Sequence, residues 1–121
     1  MVTRELVLQL GVEGGGICIY RTVLDGGAYQ FHGEGVSMTL DDNDEEMWRR
    51  WKTPPAETIE AALRLITHDG SWIYWHPISV LDEYKSEIWQ HVQDTQRSVA
   101  PGSPDLWQRS RRHWMEACSP Q

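Results

Sequence analysis

At 121 residues and 14.0 kDa, with 40% apolar and 24% charged residues, the chain fits one globular domain and leaves no length for a second. A net charge of −7 and a pI near 5.1 argue against nucleic acid, whose phosphates need Lys and Arg to displace their counterions. The first residues lack a basic segment followed by an apolar run, and no stretch reaches the length of a membrane span, so the expected address is the cytoplasm.

The first forty residues read as strands. Leu6, Leu8, Leu10 and Val12 alternate with Glu5, Val7, Gln9 and Gly11, the two-residue period of a half-buried strand. Gly14-Gly15-Gly16 turns the chain into a β-rich run over 17–23, Asp25-Gly26-Gly27 turns it again into 28–32, and 36–40 is a fourth short strand. Glycine turns between consecutive strands predict an antiparallel meander. The triple glycine is followed by a strand and lacks the lysine of a phosphate loop, so it reads as a hairpin turn.

Beyond Leu40 the period changes. Residues 44–52 read as a short helix with acids at its positive end, and Thr53-Pro54-Pro55 breaks it and starts another. On that second helix Ile59, Ala62, Leu63 and Ile66 share a face, and His68-Asp69-Gly70 closes it. Residues 71–75 are aromatic and β-branched and read as a strand that His76-Pro77 ends. Leu81, Tyr84, Ile88 and Val92 stripe a helix over 82–93. Residues 95–103 read as a linker, and Ser103-Pro104-Asp105 as the start of a final helix over 106–116. Leu106, Trp107, Trp114 and Met115 are its apolar cover. Arg109, Arg111, Arg112 and His113 make it the one basic element, expected to pack on or near the acidic face. The expected fold is α+β: a three- to four-stranded antiparallel β-meander packed against two or three C-terminal helices. Residues 1–96 form the domain, and 97–121 a linker and a basic helix docked on it.

Candidate chemistry concentrates in the middle. Asp41, Asp42, Asp44, Glu45 and Glu46 form the densest negative charge, directly before Trp48 and Trp51, which share a face if this stretch is helical. Such a run serves either as a solvated loop and helix start or as a contact for a basic partner. It lacks the central glycine and closing glutamate of a calcium loop, so no metal is expected there. Seven tryptophans are many for one small core, and Trp48 and Trp51 are the candidates for a partner surface. No two of His32, His68, His76, His91 and His113 have the spacing of a metal pair on one helix face. Nor is there a nucleophile elbow or a Ser-His-Asp order; an enzyme would need a deep pocket gathering His76 or His91 with two carboxylates. Cys18 reads as a small buried hydrophobe and Cys118 as an exposed thiol, both suited to a reducing compartment.

Three stretches, Gly15-Gly16-Ile17-Cys18-Ile19-Tyr20, Glu60-Ala61-Ala62-Leu63-Arg64-Leu65-Ile66, and Trp72 to Pro77 with Glu83-Tyr84 and Ile88-Trp89, are similar to a group of small bacterial cytoplasmic proteins of unassigned function. The resemblance runs from Glu5 to Val92 and implies the same α+β plan. It carries over no site residues.

The leading expectation is a small acidic, non-catalytic binding protein without a cofactor. It would neutralise a basic protein partner, as an immunity protein or antitoxin does, through Asp41, Asp42, Asp44, Glu45, Glu46, Trp48 and Trp51. The alternative is a self-associating structural or accessory subunit, the basic helix of one copy meeting the acidic face of another. Either a monomer or a homodimer is compatible with the composition.

Overall fold

The computed structural model describes residues 3–67, 69–98 and 104–119. His68 as a helix closer and Ser103 as a helix cap lie outside them. The elements run β1 (Thr3–Val12), β2 (Gly15–Val23), β3 (Tyr29–Leu40), β4 (Glu46–Lys52), α1 (Ile59–Arg64), a 3-10 turn (Ser71–Tyr74), β5 (His76–Val80), a second 3-10 turn (Asp82–Tyr84), α2 (Lys85–Ser98) and α3 (Pro104–Ala117). The fold is α+β. Its sheet has five strands in the order β4-β3-β2-β1-β5, one more than the sequence predicts, and every neighbouring pair is antiparallel.

The meander forms as its turns demand. Gly14 (φ 81°) joins β1 to β2, while Gly26 (φ 94°) and Gly27 (φ 87°) join β2 to β3, all in backbone territory that glycine enters freely. β1 departs from strict alternation. Its register against β2 shifts between Leu6 and Leu8, the mark of a bulge, and this turns both Val7 and Leu8 inward. Leu6 and Val12, expected on the buried face, are instead 37% and 43% exposed.

One face of the sheet meets the helices. Leu8, Leu10, Ile17, Ile19 and Phe31 pack there against Ile59, Ala62 and Leu63 of α1, Trp72 and Ile73, Ile88 and Val92 of α2, and Trp114 of α3. Thr58 caps α1, its hydroxyl accepting from the Ala61 N–H at 3.1 Å. Residues 71–75 are not a strand: Gly70, at φ 79°, opens a 3-10 turn that drives Trp72 and Ile73 together into the core, where a strand would separate them. His76 and Pro77 then begin β5 instead of ending it. α2 continues to Ser98, through residues that read as linker.

α3 is anchored by Trp114, which is fully buried, sits edge-on to Trp72 at 5.7 Å and donates its indole N–H to the Ile73 carbonyl at 2.7 Å. Ser110 and Cys118 complete the buried stripe that Trp107 and Trp114 begin, while Leu106 and Met115 stay exposed. Cys118 is therefore buried, not an exposed thiol, and burial pushes it up to about 11. Cys18 is only half-buried, because it alternates with Ile17 and Ile19 and so falls on the sheet face opposite the described helices. α3 packs on β5 and the first 3-10 turn, at the edge opposite β4, so the basic helix does not lie on the acidic stretch.

Arg21 is the buried cation of the sheet. Its guanidinium meets Glu5 at 2.5 Å and Glu83 at 2.8 Å, and donates to the Tyr84 hydroxyl at 3.0 Å. The hydrogen bond to Glu5 is foremost in keeping it protonated beyond the ordinary arginine range, and it ties β1 and β2 to the turn before α2. No helix among the described residues is long and apolar enough to cross a membrane.

Candidate functional site

The seven candidate residues fall on the β3–β4 hairpin, in a geometry unlike the predicted helix. Asp41 is spent on the turn: its carboxylate accepts from the Asn43 and Glu45 N–H groups at 2.8 and 2.9 Å. Its own N–H donates to the Glu45 carbonyl, and Asp44 adopts φ 60° to close the loop. Asp42, Asp44, Glu45 and Glu46 are left exposed beside it.

Residues 46–52 form β4 instead of a helix. A nine-residue helix is marginal without tertiary packing, whereas β3 runs on to Leu40 and offers a full ladder to aromatic residues suited to strands. On a strand the two tryptophans part. Trp51 lies on the helix side over Gly35, where an added Cβ would come within 2.2 Å of its indole ring, so glycine makes the room for it. Trp48 stands on the other face, paired with Met38 and 60% exposed.

The ladder fixes which backbone groups remain free. At one end the Thr53 N–H donates to the Gly33 carbonyl at 2.9 Å, and at the other Asp41 donates to Glu45 at 2.9 Å. Both pairs keep the register of β3 with β4, so odd residues of β4 bond to β3. Glu46, Trp48, Arg50 and Lys52 consequently aim their N–H and C=O groups away from the sheet. Buried Thr53 closes the strand with a second bond, its hydroxyl accepting from the Gly33 N–H at 2.7 Å.

Farther along the ladder, on the sheet face that Trp48 shares, lies a charge cluster. Glu34 meets Arg4 at 2.6 Å, Lys52 at 3.2 Å and His32 at 3.7 Å, and Arg4 lies 3.7 Å above the Tyr20 ring. Burial alone would raise the Glu34 carboxyl. The Lys52 hydrogen bond and the charges of Arg4 and Lys52 outweigh it and hold the group below the ordinary carboxylate range. These contacts tie β1, β3 and β4 together across the open face.

Two other constellations lie outside the hairpin, and the first is the gathering of His91 with carboxylates that an enzyme would need. A cleft of about 630 Å³ between α1 and α2 gathers His91 with Glu60, Asp69 and Asp94. Each carboxylate is already engaged: Glu60 by Arg64 at 2.6 Å, Asp94 by Arg97 at 3.2 Å, and Asp69 by the Ser71 N–H, which holds it below the usual range. His91 Nε2 is 3.5 Å from Glu87 and has no hydrogen-bond partner among the described residues. Elsewhere, His76 of β5 and His113 of α3 bring their Nδ1 atoms to 3.4 Å, a juxtaposition of residues 37 apart. Among the described residues no group of three or more His, Cys, Asp or Glu is placed to hold a metal ion. No protein-family model, no curated protein and no solved structure matches the chain.

Proposed function

We propose that this protein is a non-catalytic binding module whose working surface is the β3–β4 hairpin. One observation carries the reading: a tryptophan 60% exposed on an edge strand whose outward backbone groups have no partner among the described residues. An extended segment of another protein can add to such an edge, its main chain bonding to β4 and its side chains reading the charges alongside. Those charges are ordered, acids from Asp42 to Glu46 and then Arg49, Arg50 and Lys52. A basic stretch of the partner would sit against the turn and an acidic one against the end of β4. Such a module can occlude the basic working surface of its partner, the role of an immunity protein or antitoxin.

The test uses the full chain and its Trp48→Asp variant as baits in extract of the source cells. A protein held by the first and lost with the second, both folded by circular dichroism, supports the reading; equal capture moves the interface elsewhere.

A second reading is favoured by the α1–α2 cleft, where His91 and three carboxylates would suit a small polar ligand or a hydrolytic site. It ranks below the first because every carboxylate there is paired locally.

A further inference from the structure

We infer that the strand β4 accepts is β4 of a second copy of this chain, the two running antiparallel about a two-fold axis at Trp48. This deepens the reading of β4 as a binding edge and rests on it.

The ladder allows few registers. Because the free N–H and C=O groups belong to Glu46, Trp48, Arg50 and Lys52, an antiparallel partner must set even residues opposite even ones. With the axis at Trp48, Glu46 faces Arg50 of the second copy and Arg50 faces its Glu46. The two Trp48 side chains meet between these pairs, and Lys52 comes alongside the other copy's acidic turn. On the opposite face Met47 faces Arg49, and no like charges are directly opposed.

Moving the axis to Arg49 would place the two Arg49 side chains against each other at the close, non-hydrogen-bonded spacing, which is repulsive. Moving it to Met47 would leave only 46–48 within the strands, because the chain turns at Asp44. Trp48 is therefore the centre that uses the strand and opposes no like charges.

The charge order makes β4 its own complement. Acids precede Trp48 and bases follow it, so an antiparallel copy inverts the order and puts each sign against the other. An edge strand guarded against association carries charged side chains, a proline or a bulge. In β4 the guarding charges of one copy are neutralised by the other. The apolar centre adds a cross-strand Trp pair, among the stronger contacts two strands can make.

The test is light scattering on the full chain, on Glu46→Arg, on Arg50→Glu, and on an equimolar mixture of the two variants. The expected result is a salt-sensitive dimer of the parent, twice 14.0 kDa. Each variant alone should dimerise on the order of 30-fold more weakly, because two attractive pairs become repulsive. Mixing them should restore the dimer. At positions 46 and 50 the first variant carries only bases and the second only acids, so both cross-strand pairs between them are again complementary. That rescue also shows that both variants fold. A parent dimer that neither variant weakens, or a mixture that stays monomeric, overturns the pairing. A monomeric parent also overturns it. If that monomer still captures another protein in a Trp48-dependent way, the binding-edge reading survives; if it captures none, both fall.

Discussion

The two edges of the sheet are built in opposite ways. β5 is five residues long, contains Pro77, breaks register against β1 between Gln9 and Leu10, and lies under α3. β4 is seven residues long, contains no proline, keeps unbroken register with β3 and exposes every residue but Trp51. Short length, proline, a bulge and a covering helix are the devices that stop an edge from recruiting another strand. All four act on β5. β4 has only charge, and charge of both signs. In one sheet, the closed edge shows what the open edge lacks.

The largest effect should come from uncovering the closed edge. Trp114→Ala removes the anchor of α3 and leaves the Ile73 carbonyl without its donor, which should cost about 3–5 kcal/mol in denaturant unfolding. A loss well under about 1 kcal/mol would mean that α3 does not hold that edge shut.

The next prediction concerns the open edge. A proline at Arg49 removes an N–H that bonds to β3, whereas a proline at Arg50 removes one that points outward. Arg49→Pro should therefore be the more destabilising, by about 1–3 kcal/mol of the monomer. Equal losses would show that the parity of the ladder is wrong. In the self-paired state the order of harm reverses for association, since only the Arg50 N–H faces the second copy.

The smallest effect is electrostatic. The Glu34 pKa is depressed in the folded chain, so its contribution is present above the unfolded carboxylate value and is lost as pH falls through the lower, folded one. Glu34→Gln should flatten the acid limb of stability against pH and leave the neutral limb's slope unchanged. An identical acid limb in both proteins would remove Glu34 from the set that ties β4 to the open face.

How far this contrast could be read from sequence depends on range. The meander was legible because its determinants are local: glycines at the turns and alternation along β2 and β3. β4 was not. Trp48 and Trp51, spaced three apart behind a run of acids, imitate a helix face, and nothing near them in sequence reveals that β3 is long enough to pair with them. Residues 71–75 failed likewise: aromatic content reads as strand, and only the positive φ of Gly70 and the pull of the core make a 3-10 turn. The two cysteines exchanged places for reasons of partner and face, Cys118 because Trp114 carries α3 into the core and Cys18 because it lies on the sheet face opposite the described helices. The acids and tryptophans of 41–51 stood out in composition. Their division into a turn-forming Asp41, an inward Trp51 and an outward Trp48 required the register.

The most direct measurement is amide hydrogen exchange along β4 in the Glu46→Arg variant at high dilution. Slow exchange at Met47, Arg49 and Trp51, alternating with fast exchange at Trp48, Arg50 and Lys52, is the result an open edge requires. Protection that is uniform along 46–52 would contradict it, because every amide would then have a partner and no edge would be free to receive one.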